Sequence, residues 1–163
     1  MSLTRVYLPS TWPGLRDLVL SDGLGPPPLW AHAVTPGLRQ DYPEGGEEEW
    51  EYAALSAAAR SSLTLITQDD LPRRVVIAMD AETVLPGETA DPTVVQVDEA
   101  VPFRHVAAVL VDSADAQADV SAARQAWPAA DRGDPQAAAL VDRCLSRELG
   151  WFATQEISTL LAE

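Results

Sequence analysis

The chain has no lysine, and arginine supplies all 11 of its basic residues. Without a lysine amine there can be no Schiff base with a carbonyl substrate and no linkage to pyridoxal phosphate. The phosphate-binding motif GxxxxGK[ST] is excluded for the same reason. The motifs GxGxxG, GxSxG and HExxH are missing as well, so the common signatures of dinucleotide binding, serine hydrolysis and zinc proteolysis are all lacking.

Cysteine is nearly absent too, because Cys144 is the only one. A single cysteine excludes an intrachain disulfide and a zinc site built from several thiolates. Cys144 shares one helical stripe with Val141 and Leu145, which predicts a small, buried thiol.

Positive charge is scarce, with 25 acidic residues against 11 basic ones and a formal net charge of −14. The densest basic feature is the pair Arg73 and Arg74. Such a surface repels phosphate backbones and anionic lipid headgroups, so we predict no binding to nucleic acids or membranes. The first residues show no apolar segment typical of a signal peptide, and no apolar run approaches the ~18 residues of a membrane-spanning helix. We therefore expect a soluble, cytoplasmic protein.

The remaining patterns are typical of a globular protein. The 163 residues are expected to form one domain, 1–163, that buries about 70% of its unfolded surface. The order of strand and helix patterns predicts an α/β (α+β mixed) fold, in which helices cover a mixed sheet of four or five strands. An early strand–helix–strand order implies at least one parallel crossover. Strands are predicted at 5–9, 29–35, 73–80, 93–99 and 105–112, and the last of these, HVAAVLVD, is predicted to be central.

The C-terminal half is predicted to be mainly helical. A helix follows Asp112 and is expected to stop at Pro128, because a proline lacks the N–H that a helix interior needs. The pair Asp134-Pro135 is a helix-start signal, and the last helix is predicted to run from there nearly to Glu163. The segment 81–92, rich in proline, glycine and acids, is expected to be a mobile loop or a hairpin.

Three aspartates are the first candidate functional group. Asp112 lies at the carboxyl end of the predicted central strand, and Asp115 and Asp119 lie one helical turn apart in the segment that follows. Open α/β sheets bind ligands at this end of their strands, and Mg²⁺ or Ca²⁺ prefers carboxylate oxygens. The alternative is structural: Asp112 caps the helix and Asp115 complements its dipole.

The two histidines, His32 and His105, are the second candidate group. Both are predicted on strands, where a histidine can act as a proton shuttle or a ligand. The alternative is a histidine that is merely hydrogen-bonded or half exposed. The acidic run 47–49 is interpreted as a solvated helix start.

The stretch RELGWFATQEI, residues 147–157, is the third candidate. On the predicted last helix, Trp151 and Phe152 continue the apolar face, while Glu148 and Gln155 lie along its edge. If Glu148 is buried, it is a candidate general acid. The alternative is a glutamate on the rim of the core that pairs with an arginine.

Four stretches carry the chain's most distinctive motifs: RVYLPST, LRQDYPEGGEEEWEYAALSAAARSSL, HVAAVLVDSADAQADV and ELGWFATQEI. Together they resemble a family of uncharacterised actinobacterial proteins of this size. The resemblance covers nearly the whole chain, and ELGWFATQEI is its most specific part. It implies the source and a one-domain organisation, and it supplies no catalytic residues.

Two functions fit these observations. The first is a non-enzymatic module that binds another protein or self-associates, which the missing catalytic motifs, the acidity and the five tryptophans favour. The second is a small carboxylate-based hydrolase or ligand-binding enzyme, with or without Mg²⁺, that uses Asp112, Asp115, Asp119 and Glu148. No cofactor is predicted. The two functions are distinguished by whether the aspartates and a histidine meet in one concave pocket.

Overall fold

Residues 2–163 are described by a computed structural model. Several helices begin at residues whose side chains cap them: Thr11, Thr35 and Asp134 each accept a hydrogen bond from an N–H of the first turn. A proline follows each of these caps within the first turn. Along the chain the elements are β1 (Thr4–Ser10), α1 (Trp12–Leu20), β2 (Gly23–Leu24), β3 (Leu29–His32), α2 (Pro36–Asp41), α3 (Glu47–Leu65), β4 (Val75–Ala81), β5 (Val84–Pro86), β6 (Val94–Val97), β7 (Val101–Pro102), β8 (Val106–Val111), α4 (Gln117–Asp131), α5 (Pro135–Leu145), β9 (Gly150–Phe152) and α6 (Ile157–Leu161).

The main sheet has seven strands in the order β5-β6-β3-β1-β4-β8-β9, and each neighbouring pair is antiparallel. The α/β class is confirmed, but the prediction of a mixed sheet of four or five strands with a parallel crossover is wrong. After α1 the chain passes through β2 and the proline segment 26–28 before β3, so β3 runs antiparallel to β1. Strands β5 and β9 have only three residues each, too few for a period-2 pattern to show.

The centre of the sheet is β1, the fourth of the seven strands, and the prediction that residues 105–112 form the central strand is wrong. Strand β8 lies second from one edge, between β4 and the short β9. Its continuous apolar run reflects burial on both faces of the sheet, because helices cover both. A continuous apolar run therefore indicates that helices cover both faces of the strand, and it does not indicate where the strand lies in the sheet.

Helices pack on each face of the sheet. On one face α1 and α6 contact a cluster that includes Val6, Leu15, Ile77, Val109 and Ile157. On the other face the alanines of α3 lie against a cluster that contains Tyr7, Val76, Ala78 and Leu110. The small side chains of α3 allow its backbone to approach the strands closely.

A third cluster joins the end of α3 to α4 and α5, and Cys144 lies within it. The thiol is fully buried, and burial raises its pKa, although the Arg74 guanidinium opposes part of that effect. A thiol in this state is a packing group and not a nucleophile.

The long last helix predicted from Asp134 to nearly Glu163 is wrong. Helix α5 ends at Leu145, and the chain then bends and adds β9 to the sheet with Val109↔Phe152, Leu110↔Trp151 and Val111↔Gly150 as partners. Glycine is a poor helix former, and the backbone at Gly150 instead pairs with Val111 of β8. A 3₁₀ turn and α6 complete the chain. Hence Trp151 and Phe152 lie on opposite faces of a strand and not on one stripe of a helix.

The predicted stop at Pro128 is also wrong, because α4 continues through this proline to Asp131. Gly133 follows the C-cap Arg132, and its φ of +94° is a conformation that glycine adopts without a steric penalty. In the described part of the chain, no helix is both long and apolar enough to cross a membrane.

Candidate functional site

A groove of about 500 Å³ lies between residues 52–60 of α3 and the segment 145–149. We call it the α3–β9 groove, because the second wall continues directly into β9. Tyr52, Leu55 and Ala59 line the first wall, since residues three and four apart share one face of a helix. The second wall is the bend that leaves α5, and it contributes Leu145 and Leu149.

Arg74, which also lines the groove, forms a buried ion pair with Asp112. Both residues are 1% exposed. The Nε and the backbone N–H of Arg74 donate to Oδ2 of Asp112 at 2.8 Å, and Nη2 donates to Oδ1 at 2.8 Å. Burial lowers the pKa of Arg74, but the hydrogen bonds and the charge of Asp112 outweigh it, so the net shift is upward. Asp112 is therefore neither a free ligand nor a helix cap.

This pair sits at the end of the β4–β8 ladder, which explains its geometry. Val75 and Val111 are partners in the ladder; Arg74 directly precedes Val75, and Asp112 directly follows Val111. The N–H of Asp112 donates to the carbonyl of Arg74 at 3.1 Å. Neighbouring strand residues point to opposite faces. Arg73 accordingly turns the other way, and its guanidinium lies 4.6 Å from the ring centre of Trp12.

Asp115 and Asp119 meet a second arginine, Arg147. The Nε of Arg147 donates to Oδ2 of Asp119 at 2.7 Å, and its Nη1 lies 3.7 Å from Oδ1 of Asp115. The hydrogen bond to Asp119 raises the pKa of Arg147. The Ser113 hydroxyl donates to Asp115 and lowers the pKa of that carboxyl group, with Arg147 as a further cause. The carbonyl of Arg147 accepts from Nη2 of Arg74 at 3.0 Å, so the two ion pairs are joined.

The structure thus brings the three predicted aspartates into one region, but each faces an arginine. The shared helix face predicted for Asp115 and Asp119 agrees with their common partner. Sequence reasoning missed Arg74 and Arg147 as site residues, and the Arg73-Arg74 pair was the one available signal. Within residues 2–163 no three His, Cys, Asp or Glu side chains cluster in a way that could hold a metal ion.

Glu148 is exposed on the rim of the α3–β9 groove. This exposed position differs from that of a buried general acid. The predicted arginine partner is not found for Glu148 among the ion pairs of the described chain. Its carboxylate is therefore available at the mouth of the groove.

His32 is buried in a separate hydrogen-bond network. Its Nδ1 is 2.8 Å from Oγ1 of Thr93, and its Nε2 is 2.9 Å from Oγ of Ser61 on α3. The Thr93 hydroxyl donates to Oδ1 of Asp91 at 2.8 Å, so it accepts from His32, and the proton of the neutral ring lies on Nδ1. Nε2 then accepts from Ser61. The chain of bonds ties α3 to β3 and to the start of β6.

This network and the aspartate–arginine pairs lie apart. Strand β3, which carries His32, is separated from β8 by β1 and β4. A serine nucleophile beside His32 would need a free N–H to stabilise the oxyanion of its reaction intermediate. Ser61 lies inside α3, and its own N–H is bonded within the helix, so it cannot supply one. His105 lies in the 3₁₀ turn before β8, and its Nδ1 is enclosed without a hydrogen-bond partner in the described chain. The histidines and the aspartates therefore do not share a pocket.

Acid should destabilise the protein through His32. Burial lowers the pKa of His32, and the attraction of Asp91 at 4.0 Å opposes this only in part. Below the unfolded pKa of about 6.5 the unfolded chain takes up a proton that the folded chain refuses, so the free energy of unfolding falls with pH. Urea midpoints between about pH 7.5 and 5.5 should show this fall, and His32→Gln should flatten it.

The matched comparison is between the wild type and His32→Gln at the same salt concentration. Carboxylates titrate at lower pH and are present in both proteins, so the difference between the two slopes isolates His32. Equal slopes for wild type and His32→Gln would contradict the assignment.

A family model described as "Family of unknown function (DUF6912)" matches residues 4–161 of the chain. The chain belongs to the DUF6912 family. No curated protein and no solved structure matches it.

The matched DUF6912 range includes both walls of the groove, both ion pairs and the His32 network. Two large aromatic side chains are exposed in this part of the molecule. Tyr52 lines the groove and is 60% exposed, and Trp151, two residues after the lining residue Leu149 in the chain, is 64% exposed in β9.

Proposed function

We propose that this DUF6912 protein is a protein-interaction module that receives an extended segment of a partner protein along β9 and in the α3–β9 groove. The observation that carries the proposal is the exposure of Trp151 in an edge strand. A tryptophan that is 64% exposed contributes little to the core and much to an interface.

The edge of the sheet supports an extended partner. β9 is the last strand in the order and pairs on one side with β8, so its other side offers main-chain groups to an added strand. Because Trp151 is paired with Leu110, it projects toward the face that α3 covers. A segment added beside β9 would therefore lie across Trp151 and next to the groove.

The ion pairs favour a protein-binding function over the alternative of a carboxylate-based hydrolase. Such an enzyme needs Asp112, Asp115 or Asp119 free to bind a metal or move a proton, whereas Arg74 and Arg147 occupy them. These pairs also fix the two arginines beside the groove. A rigid, partly charged wall next to exposed aromatics is typical of a recognition surface.

The proposal is tested by site-specific crosslinking. A photoreactive p-benzoylphenylalanine is placed at position 151 in cells that make the protein, and the crosslinked partner is identified. The partner is then purified, and its affinity for the wild type and for Trp151→Asp is measured by calorimetry. We expect at least a tenfold loss, in line with ~2 kcal/mol for a hot-spot aromatic.

The matched control is Leu20, which is 82% exposed on α1, on the other face of the sheet. The same reactive residue there should not capture the partner, and Leu20→Ser should bind it as the wild type does. The proposal fails if positions 151 and 20 give the same crosslinks, or if Trp151→Asp leaves the affinity of the purified partner unchanged.

A further inference from the structure

We propose that the α3–β9 groove binds a carboxylate attached to an apolar group, with Arg74 and Arg147 as the donors. This inference rests on the proposed function, because it names the chemical group that the partner contributes to the same groove.

Arg74 presents one free end of its guanidinium. Its Nε and Nη2 are used by Asp112 and by the carbonyl of Arg147, while Nη1 makes no hydrogen bond in residues 2–163. Among the described side chains, the one enclosed polar atom without a partner is Nδ1 of His105, so Nη1 of Arg74 keeps access to solvent. Since the side chain is 1% exposed and lines the groove, that access is through the groove.

Arg147 offers further donors at the same place. Its Nε is held by Asp119, its Nη1 is beyond hydrogen-bond distance of Asp115 at 3.7 Å, and its Nη2 makes no hydrogen bond in the described chain. Arg60 also lines the groove, and its guanidinium lies 5.0 Å from the ring centre of Trp127. None of the ion pairs of the described chain includes it.

The aspartates behind these arginines orient them for a ligand. Because Asp112 and Asp119 already fix two guanidinium groups, little side-chain entropy is lost when an acid binds. Charge-assisted hydrogen bonds from arginine to a carboxylate are stronger than neutral ones, more so in a partly desolvated groove. The donors are in place before the ligand arrives.

The walls determine the rest of the ligand. Leu55, Leu145 and Leu149 line the groove with Tyr52, which suits an aliphatic or aromatic group beside the acid. A singly charged carboxylate fits better than a dianionic phosphate, because Glu148 stands on the rim and the chain carries a net charge of −14.

The test compares 4-phenylbutyrate with its neutral isostere 4-phenylbutanamide. Both are titrated into ¹⁵N-labelled full-length protein, and the Nε–H signals of Arg74 and Arg147 are followed with the backbone signals of 145–149. The acid should shift these signals and bind at least about tenfold more tightly than the amide, as expected for a charge-assisted pair. Inorganic phosphate at the same concentration should not displace it.

Arg147→Gln should weaken binding of the acid by about tenfold and leave binding of the amide unchanged. Arg60→Gln is a second variant, at an exposed side chain, and should weaken the acid to a smaller extent. Arg132→Gln is the matched control, because Arg132 is exposed at the end of α4 and outside the groove. The spectrum of each variant shows whether it is folded.

The inference is overturned if the acid causes no shifts up to tens of millimolar (roughly the weakest binding that such a probe could report). Equal binding of acid and amide, unchanged binding by Arg147→Gln, or displacement by phosphate would overturn it as well. The probe needs no partner protein, so the two proposals can fail separately. If the acid binds but position 151 gives no specific crosslink, only the proposed function is contradicted. If position 151 gives a specific crosslink but the acid and the amide bind equally, only this inference is contradicted.

Discussion

Asp112→Ala is expected to destabilise the fold by about 3–5 kcal/mol, because it leaves the buried guanidinium of Arg74 without its counter-charge. Three hydrogen bonds from Arg74 are lost together with the charge. Each residue is 1% exposed in the folded protein, so the unpaired guanidinium would remain largely desolvated. The free energy of unfolding would be read from urea midpoints at an unchanged m-value.

A double variant separates the charge from the packing. Arg74→Met combined with Asp112→Leu replaces the pair with apolar side chains, and it should recover most of the stability lost in Asp112→Ala. Asp115→Ala is the control at a mostly exposed carboxylate and should change little. A loss of only about 1 kcal/mol in Asp112→Ala would fit a simple helix cap instead and would contradict the buried pair.

Those parts of the fold that depend on local sequence could be predicted. The threonines that cap α1 and α2 are within three residues of the N–H groups that they bind. Runs of β-branched side chains indicate β4 and β8. β9 could not be predicted, because its conformation depends on pairing with β8, about 40 residues earlier in the chain. Gly150 was the local hint that the helix would break.

The same limit applies to the candidate site. Asp112, Asp115 and Asp119 could be grouped from the sequence, because a strand end and one helical turn bring them together. Their arginine partners could not be found, since Arg74 lies 38 positions from Asp112 and Arg147 lies 28 positions from Asp119. When those partners are unknown, a sequence does not distinguish an aspartate that is ion-paired from one that is free to bind a metal ion. The groove depends on the bend between α5 and β9, so it was missed together with β9.

Phe152→Ala should destabilise the protein far more than Trp151→Ala, although the two residues are neighbours. In β9 they point to opposite faces of the sheet. Phe152 is opposite Val109 and packs on the cluster under α1 and α6, whereas Trp151 is mostly exposed. Because Phe152 is partly buried, its truncation should cost an amount near the lower end of the ~3–5 kcal/mol range for core aromatics. Trp151→Ala should stay within about 0.5 kcal/mol, as surface substitutions do.

Urea midpoints of the two variants, measured at the same pH and salt, decide between strand and helix at this position. On a helix the two side chains would share the apolar face, and both truncations would cost stability. Similar large losses would therefore contradict both β9 and the surface position of Trp151. The contrast also matters for the binding test. If Trp151→Ala is as stable as the wild type, the fold does not depend on the side chain at position 151, and the stability of Trp151→Asp, measured in the same way, shows whether its weaker binding reflects a lost contact or unfolding.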